Sequence, residues 1–493
     1  MKYVSTREGT GGVTASQAII RGIAPDGGLY VPETIPAVDM DFIRRLAGTD
    51  YRERAVEVLE LYLEEFSRQE LEDIASASYR DNFDCPAIAP LRILDSETAY
   101  LELWHGPTSA FKDMALQIMP RLLTASLRKN GEKRTVSILV ATSGDTGKAA
   151  LEGFRDVPGT KIMVFYPRDG VSQVQKLQMT TQEGGNVNVV AVEGNFDDAQ
   201  TGVKKIFGDR DFEKTLDGRG YFLSSANSIN WGRLAPQIAY YFSAYCDMVN
   251  AGALEMGEKL DFCVPTGNFG DILAGWYAKR MGLPVGRLVC ASNDNNVLTD
   301  FIATGIYDKN RPFRLTSSPS MDILVSSNLE RLLYCLSGDA DRVRDMMGRL
   351  ASVGRYDAGD DLRAAVGAEF TGGFCRDGEA RAEIGEVWRE NGYLIDPHTA
   401  VASRVLRELR KKEGVSRPAV VVSTASPFKF GSAVLEALGA VTGETGPALV
   451  EELAAFTGAA APKPLSGLGQ KPVRFDQWVA KEDMERAVSE FLS

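Results

Sequence analysis

The sequence contains very little histidine and no paired cysteine motif. His105 and His398 are the only two histidines in 493 residues, which excludes a metal centre built from several histidines. None of the six cysteines lies in a CxxC pair, so neither a zinc site nor a dithiol redox site is indicated. They are Cys85, Cys246, Cys263, Cys290, Cys335 and Cys375. Scattered thiols of this kind are typical of a cytoplasmic protein.

The sequence also lacks a surplus of basic residues, long apolar runs and nucleotide-binding motifs. The net charge is −12, which argues against nucleic acid as a partner because phosphate backbones are bound by clustered Lys and Arg. No apolar run approaches the roughly 20 residues of a membrane span. The opening MKYVSTREGTGG lacks the apolar core of a signal peptide. Neither GxGxxG nor a Walker sequence occurs, which disfavours dinucleotides and nucleoside triphosphates. We therefore expect a cytoplasmic protein whose partner is a small molecule, without binding to membranes.

The order of apolar patterns predicts three parts. Residues 1–90 have helical periodicity and a capping-box spacing of Ser67 and Glu70, which predicts a mostly helical N-terminal domain. Residues 91–250 and 251–493 alternate short apolar runs with helical segments, which indicates two α/β units with buried parallel strands. The predicted strands are 136–141, 161–166, 188–193, 261–266, 286–291 and 419–424. In such units, ligands bind at the carboxyl ends of the strands.

Lys112 lies in LELWHGPTSAFKDMALQIMP at 101–120, directly before a predicted helix. The apolar positions 114, 115, 118 and 119 have the spacing of a buried helical face. A lysine at such a place usually extends its ammonium group to water along its own methylenes. Alternatively, apolar surroundings lower the pKa of the amine, which can then act as a Schiff-base nucleophile or as a base near neutral pH. The second interpretation, which suits pyridoxal phosphate chemistry, requires a phosphate cradle and a partner for the ring nitrogen elsewhere in the chain.

Two turns that follow predicted strands are candidate anion sites. The first turn consists of Gly267, Asn268, Phe269, Gly270 and Asp271. Its backbone amides and the dipole of the next helix suit a phosphate group. The second turn contains Ser143, Asp145 and Thr146, whose hydroxyls and amides suit a carboxylate or phosphate of a substrate. For both turns the alternative is local geometry alone, as a tight turn or a helix cap.

Four further residues have chemistry that suits a ligand site. Thr424 ends a predicted strand, where a hydroxyl facing a pyridine nitrogen would leave that nitrogen largely unprotonated. Asn230 and Arg233 lie in SSANSINWGRLAPQ, and an arginine fork suits a phosphate or a carboxylate. His105 lies close to Lys112 in sequence. The alternative for Thr424 is an ordinary β-branched strand residue, and for Asn230 and Arg233 it is a polar helix start. For His105 the alternative is a structural histidine.

Together, four stretches resemble threonine synthases of the longer, bacterial and fungal type. They are HGPTSAFKD around Lys112, ATSGDTG at 141–147, PTGNFGDILAG at 265–275 and STASPFKFG at 423–431. Supporting stretches at 24–36, 224–237 and 396–402 extend the resemblance almost from end to end. It implies the tryptophan synthase β-like fold, which is fold type II, with pyridoxal 5'-phosphate as cofactor. The implied reaction converts O-phospho-L-homoserine and water to L-threonine and phosphate, the last step of threonine biosynthesis.

The resemblance also implies roles for individual residues. Lys112 would hold the cofactor, the turn at 267–271 would bind its phosphate, and Thr424 would face its ring nitrogen. Related enzymes commonly have asparagine at the place of Asp145, bonded to the phenolic oxygen of the cofactor. Many family members have a histidine near Ser426, and this sequence departs from that pattern. The expected substrate-binding residues are Ser143, Thr146, Asn230 and Arg233.

Two other functions and two assembly states are open at this stage. A phospho-lyase or dehydratase of the same fold would share the cofactor residues but release a 2-oxo acid. A binding protein without catalysis is the more distant alternative, and the intact Lys112 and glycine turn argue against it. The chain is expected to be a monomer or a homodimer.

Overall fold

The computed structural model describes residues 1–9, 11–142, 144–169, 171–414 and 417–493. Ser143, one of the expected substrate-binding residues, lies outside the described residues. The strands in chain order are β1 (Tyr3–Ser5), β2 (Tyr30–Pro32), β3 (Leu91–Ile93), β4 (Thr98–Glu102), β5 (Thr135–Ala141), β6 (Thr160–Pro167), β7 (Val187–Glu193), β8 (Tyr221–Ser224), β9 (Leu260–Pro265), β10 (Val285–Ser292), β11 (Ile306–Asp308), β12 (Arg355–Asp357), β13 (Phe370–Phe374), β14 (Ala419–Ser423) and β15 (Trp478–Ala480).

The helices in chain order are α1 (Ala15–Arg21), α2 (Met40–Ala47), α3 (Tyr51–Tyr62), α4 (Arg68–Ser78), α5 (Asp113–Leu116), α6 (Met119–Lys129), α7 (Asp145–Phe154), α8 (Gln173–Thr180), α9 (Phe196–Gly208), α10 (Arg210–Gly218), α11 (Trp231–Asn250), α12 (Gly270–Met281), α13 (Val297–Thr304), α14 (Leu329–Ser337), α15 (Ala340–Ser352), α16 (Asp360–Glu369), α17 (Asp377–Asn391), α18 (Pro397–Glu413), α19 (Gly431–Ala437), α20 (Ala448–Thr457) and α21 (Met484–Phe491). No helix in the described ranges is both long enough and apolar enough to cross a membrane.

Five strands form the first parallel sheet, in the order β15-β7-β6-β5-β8. All four neighbouring pairs are parallel. The five central residues of β5 are buried, as expected of a strand covered on both faces. The strands predicted at 136–141, 161–166 and 188–193 are confirmed as β5, β6 and β7.

The second sheet has six strands in the order β13-β10-β9-β14-β4-β3. Its pairs are parallel except for β3, which runs antiparallel to β4 at the edge. All six residues of β9 and all five of β14 are buried. The strands predicted at 261–266, 286–291 and 419–424 are confirmed as β9, β10 and β14.

Each sheet takes strands from both sides of residue 250. The second sheet includes β3 and β4, although most of its strands follow that residue. The first sheet includes β15, which pairs with β7. The domain boundaries at 90 and 250 remain predictions, and the sheets themselves are interleaved along the chain.

Helix α11 is the central element that connects the parts of the molecule. Every residue from Trp231 to Cys246 is buried. The helix contacts α12 of the second unit, α5 beside Lys112, and α1, α2 and α3 of the N-terminal part. In that part, Ser67 is the N-cap of α4 and forms the predicted capping box, in which Ser67 and Glu70 each bind the backbone of the other.

The helix predicted to begin at Lys112 is divided into two pieces. Lys112 is the N-cap of α5, which ends at Leu116, and α6 begins at Met119. Pro120 has no N–H to donate to the carbonyl of Leu116, and its ring crowds that carbonyl, so the helix breaks here. The apolar face was correctly predicted, because Met114, Ala115, Ile118 and Met119 are at most 1% exposed.

The carbonyl of Leu116 is covered by Gly153 of α7. A Cβ at Gly153 would lie 1.9 Å from the Leu116 oxygen and 2.9 Å from its carbon, so only glycine allows this approach. Asp145 begins the same helix α7, and Lys112 directly precedes α5. The contact of Gly153 with Leu116 therefore sets the distance between the ends of the two helices that carry candidate site residues.

Gly153→Ala is expected to lower the free energy of unfolding by about 1–3 kcal/mol, because the new methyl overpacks a backbone contact. The matched control is Gly367→Ala in α16, where a Cβ would meet nothing within 4 Å. That change is expected to be neutral or to stabilise by about 0.5–1 kcal/mol, because alanine favours a helix interior. Urea unfolding of both variants checks this. Equal stability of the two variants would contradict the tight approach at Gly153.

Candidate active site

The segment before Lys112 is joined by its backbone to the carboxyl end of β14. The amide of Phe111 donates to the carbonyl of Thr424 at 2.7 Å, and the amide of Ser426 donates to the carbonyl of Ser109 at 3.1 Å. An isolated bridge between residues 110 and 425 completes the pairing. Two stretches far apart in sequence thus meet at a strand end, the place where ligands of parallel sheets bind.

Lys112 is buried, with 8% of its surface exposed. Its Nζ donates to the hydroxyl of Ser320 at 3.3 Å and lies 3.9 Å from Oδ2 of Asp145. The ammonium also lies 4.8 Å from the centroid of the Phe111 ring. The side chain therefore does not extend to water, and the alternative of a solvated lysine does not describe this residue.

Burial and neighbouring cations lower the pKa of Lys112 to about 8. The largest cause is the loss of water around the ammonium, which disfavours the charged form. Asp145 and Asp113 oppose this effect, whereas Arg233 and Lys429 add to it. An amine with this pKa is neutral in about one molecule in ten at pH 7, far more often than an ordinary lysine, and a nucleophile or a base must be neutral.

Asp145 is a buried carboxylate at the start of α7. Its Oδ1 accepts hydrogen bonds from Nζ of Lys429 at 2.6 Å and from Nε2 of Gln175 at 2.9 Å. Its Oδ2 accepts from the hydroxyl of Ser320 at 3.4 Å. Burial opposes ionisation, but Lys429 and Lys112 outweigh it and hold the pKa of Asp145 well below its usual range.

The turn that leads to Asp145 is held by Thr142. The Thr142 hydroxyl accepts from the amides of Gly144 at 3.0 Å and Gly147 at 2.9 Å. Gly144 has φ +146, and a Cβ there would lie 2.5 Å from the Gln175 side chain, so the position requires glycine. Thr146 is partly exposed in the first turn of α7. The turn is thus capped by Thr142, and Thr146 beside it is partly exposed.

The glycine turn at 267–271 lies against a loop that contains Ser320. A Cβ at Gly267 would be 2.8 Å from the carbonyl oxygen of Ser320. Phe269 has φ +61 and is the N-cap of α12, without a side-chain cap. The carbonyl of Asn268 accepts from the amide and the side chain of Asn328, both at 3.1 Å. These contacts hold the turn in place, and the N-terminus of α12, which has no side-chain cap, is a suitable site for an anion.

The side chain of Asp271 binds two tyrosines. Its Oδ1 accepts from the hydroxyls of Tyr240 at 2.6 Å and Tyr241 at 2.8 Å. Its Oδ2 is buried without a hydrogen-bond partner among the described residues. Burial raises the pKa of Asp271 to about 6, although both tyrosines and Lys112 oppose the shift. Within the glycine turn, Asp271 thus presents a backbone amide and one unpaired carboxyl oxygen.

Asn230 and Arg233 have different surroundings although they are neighbours. Asn230 caps α11: its Oδ1 accepts from the amide of Gly232 at 2.9 Å, and its Nδ2 donates to the carbonyls of Ile19 at 3.0 Å and Ser225 at 3.4 Å. No donor of its side chain is left for a substrate, so this geometry supports the helix start that was the alternative.

Arg233 is 5% exposed, and its guanidinium donates to the carbonyl of Ala226 at 3.0 Å. Among the described residues it forms no ion pair with a carboxylate. Burial lowers its pKa to about 10. A buried guanidinium with most of its donors unused is a strong site for an anion.

Three residues at the site were not singled out from the sequence. Lys429 is buried beside Asp145, and its Nζ also donates to the carbonyl of Thr108 at 3.0 Å. The amide of Ser320 donates to Nε2 of His398 at 3.2 Å, and Nδ1 of His398 lies 2.7 Å from Oδ1 of Asp396. The only sequence signals were the stretches STASPFKFG and DPHTAVA, which contain Lys429 and His398. Ser320 lies in the 3-10 turn Pro319–Met321, whose sequence carries no comparable signal.

Thr424 and Ser426 lie beside Lys112 through the backbone pairing at the end of β14. Thr424 is 5% exposed at the strand end. Ser426 is fully buried and caps the 3-10 turn Pro427–Phe430, where its hydroxyl accepts from the amide of Phe428 at 3.4 Å. The Ser426 hydroxyl therefore serves as the cap of this turn.

His105 is held between two carboxylates. Its Nδ1 lies 2.6 Å from Asp84 and its Nε2 lies 2.8 Å from Glu102, while Trp104 stacks on the ring. Burial favours the neutral ring, but the hydrogen bonds to Asp84 and Glu102 outweigh it and raise the pKa of His105 to about 9. This geometry supports the structural alternative for His105.

The free energy of unfolding is expected to fall between pH 6.5 and 9.5 because of His105. Its folded pKa of about 9 exceeds the unfolded value of about 6.5, so its contribution is fully present below pH 6.5 and is lost as pH rises through 9. The loss is at most about 3 kcal/mol. His105→Gln should remove this part of the slope in urea unfolding measured across that range. Parallel curves for the wild type and the variant would show that the ring is not charged.

Three family models match this chain. The threonine synthase N terminus matches residues 2–79, the pyridoxal-phosphate dependent enzyme model matches residues 94–426, and the threonine synthase C-terminal model matches residues 399–488. The second of these covers more than half of the chain and includes Lys112 and both turns.

Known proteins agree with these models. The threonine synthase of Pseudomonas aeruginosa is 41% identical over 442 residues, which cover 89% of this chain and 90% of that protein. Threonine synthase-like 1 of Homo sapiens is 42% identical over 434 residues, which cover 86% of this chain but 58% of that longer protein. The crystal structure of PLP-bound threonine synthase from Brucella melitensis has a TM-score of 0.88 and 39% identity, covering 100% of this chain and 98% of that one. The chain belongs to the threonine synthase family of pyridoxal phosphate-dependent enzymes, with the fold type II architecture that the sequence predicted.

Proposed function

We propose that this protein is a threonine synthase, a lyase that converts O-phospho-L-homoserine and water to L-threonine and phosphate. The observation that carries the proposal is the buried amine of Lys112, whose pKa lies near 8, in the same site as a glycine turn and an unpaired buried guanidinium. An amine, an anion cradle and a second cation are what a phosphorylated cofactor and a phosphorylated amino acid require together.

The residues at the site fit pyridoxal phosphate. Lys112 supplies the amine for the covalent link, and the N-terminus of α12 after Gly267 supplies backbone amides for the phosphate. A Cβ at Gly267 would lie 2.8 Å from the carbonyl oxygen of Ser320, so the backbone of the turn takes this position only with glycine. Thr424 offers a hydroxyl, without formal charge, to the ring nitrogen. Bound there, the cofactor supplies an electron sink for carbanions formed next to the amino group.

Several residues of the site would each have a separate role in the reaction. The free amine of Lys112 would take a proton from Cα of the substrate and would move protons between Cα and Cβ. Arg233 binds an anionic group of the substrate, and Thr146 adds a hydroxyl at the start of α7. The loop around Ser320 lies over Gly267 and Lys112, where it excludes stray water. Asp145 is proposed to lie near the phenolic oxygen of the cofactor.

The partner and location of the protein follow as proposals. The partner is a small phosphorylated amino acid, and the assembly is a monomer or a homodimer. All six cysteines are free thiols, which is typical of a cytoplasmic protein.

Incubation with O-phospho-L-homoserine is expected to yield threonine and phosphate in equal amounts, measured together with 2-oxobutyrate. Lys112→Ala should lose both products and the visible absorption band of the linked cofactor. Lys148→Ala is the matched control, because Lys148 is also buried but pairs with Glu152 at 3.0 Å. It should keep the band. Phosphate accompanied by 2-oxobutyrate would instead identify a phospho-lyase or dehydratase, and absence of phosphate would contradict the substrate.

Arg233→Met is expected to raise the KM for O-phospho-L-homoserine by roughly 10- to 100-fold, because a hydrogen bond to a charged group contributes about 1.5–3 kcal/mol. Arg233→Lys keeps the charge but loses the fork, so its KM should lie between the KM of the wild type and that of Arg233→Met. The visible band and cofactor affinity are measured in parallel. A loss of cofactor affinity with unchanged KM would assign Arg233 to the cofactor phosphate and exclude the substrate role.

A further inference from the structure

Lys429 is a fully buried lysine that the proposed reaction has not used. It lies in the 3-10 turn Pro427–Phe430, and its side chain is 0% exposed. Its Nζ lies 2.6 Å from Oδ1 of Asp145 and donates to the carbonyl of Thr108 at 3.0 Å. A buried lysine is retained as a charged group only when its ammonium is paired and hydrogen-bonded, and both conditions are met here.

The two oxygens of Asp145 have different partners. Oδ1 accepts from Lys429 and from Gln175. Oδ2 faces Ser320 at 3.4 Å and Lys112 at 3.9 Å. The short ion pair of Asp145 is therefore with Lys429, and the pair with Lys112 is long. The carboxylate lies between two amines but is bonded to one of them.

The other charged groups near Lys112 do not replace this arrangement. Arg233 is a cation and repels the ammonium of Lys112. Burial raises the pKa of Asp113 to about 7 and that of Asp271 to about 6, and neither carboxyl lies within ion-pair distance of the Lys112 amine. Among the described residues, Asp145 is thus the one carboxylate within 4 Å of the Lys112 amine. Without Lys429, its nearest cation would be Lys112 itself.

We propose that Lys429 is the counter-ion of Asp145 and thereby a positioning residue for Lys112: it occupies the carboxylate, so that the Lys112 amine is free to lose its proton. The inference rests on the proposed role of Lys112 in binding the cofactor. Attachment uses the nitrogen lone pair to form a bond to the aldehyde carbon and releases one water. An ammonium held by Asp145 has no lone pair to donate.

The test uses the full-length protein from which the cofactor has been removed. Pyridoxal phosphate is added, and the rate of its attachment is measured by visible absorption at pH values from 6 to 10.5. The wild-type rate should reach half its maximum near pH 8, where Lys112 loses its proton. Lys429→Met keeps the length of the side chain but removes the charge. Its midpoint should rise by about one pH unit, which makes attachment at pH 7 about tenfold slower while the rate at pH 10.5 is nearly unchanged.

Two further variants separate charge from packing. Asp145→Asn/Lys429→Met removes both charges and should return the midpoint close to that of the wild type. Asp145→Asn alone leaves two cations beside Lys112 and should lower the midpoint, which provides a test even if Lys429→Met fails to fold. The matched control is Lys148→Met, another buried lysine whose ion pair is with Glu152, and it should not shift the midpoint.

The outcomes distinguish the two proposals. An unchanged midpoint in Lys429→Met, or an Asp145→Asn midpoint that rises, would overturn the counter-ion role. A wild-type protein that attaches no cofactor at any pH would instead overturn the proposed role of Lys112. Because attachment is measured before any substrate is added, neither result depends on the identity of the substrate.

Discussion

The buried negative charge of Asp145 is the constraint on which the rest of the site depends. A carboxylate without water is stable only when cations and donors surround it. Four separate segments supply them, through Lys112, Gln175, Ser320 and Lys429. The helices, the strand end and the loop that carry these side chains must therefore meet at one point, and their packing fixes the position of the amine.

Packing of the surrounding elements provides that convergence. The backbone pairing of Phe111 with Thr424 brings the start of α5 to the end of β14. The contact of Gly153 with the Leu116 carbonyl brings α7 to the same place. Burial of α11 along its length connects both units and the N-terminal helices. The site thus lies between two sheets, with its chemistry supplied by loops and helix ends on a rigid scaffold.

The sequence predicted the parts of the fold that depend on local pattern. Continuous apolar runs located the buried strands, and the spacing of Ser67 and Glu70 located the start of α4. Lys112 and the glycine turn were found because their chemistry has a recognisable local context. The break at Pro120 was missed, because the apolar face continues across it.

Tertiary pairings could not be predicted in the same way. Lys429 resembles any lysine near a strand end until the fold places it beside Asp145. Ser320 lies in the 3-10 turn Pro319–Met321 against the glycine turn, and His398 contacts it from the first turn of α18. Asn230 has a side chain that could bind a ligand, but in the structure its amide group is fully hydrogen-bonded to the backbone at the start of α11. Each sheet includes strands from both halves of the chain. This arrangement depends on long-range pairing, and an apolar run does not indicate which strand it will pair with.

The hydrogen bond between Lys429 and Thr108 joins residues 321 positions apart. During synthesis, the segment around Lys112 leaves the ribosome long before its partners do, and the contacts that fix its amine are among the least local in the chain. Contacts of this separation carry a large loop-closure cost and form late. Completion of the site is therefore coupled to completion of nearly the whole polypeptide, so a nascent chain cannot present the finished site early.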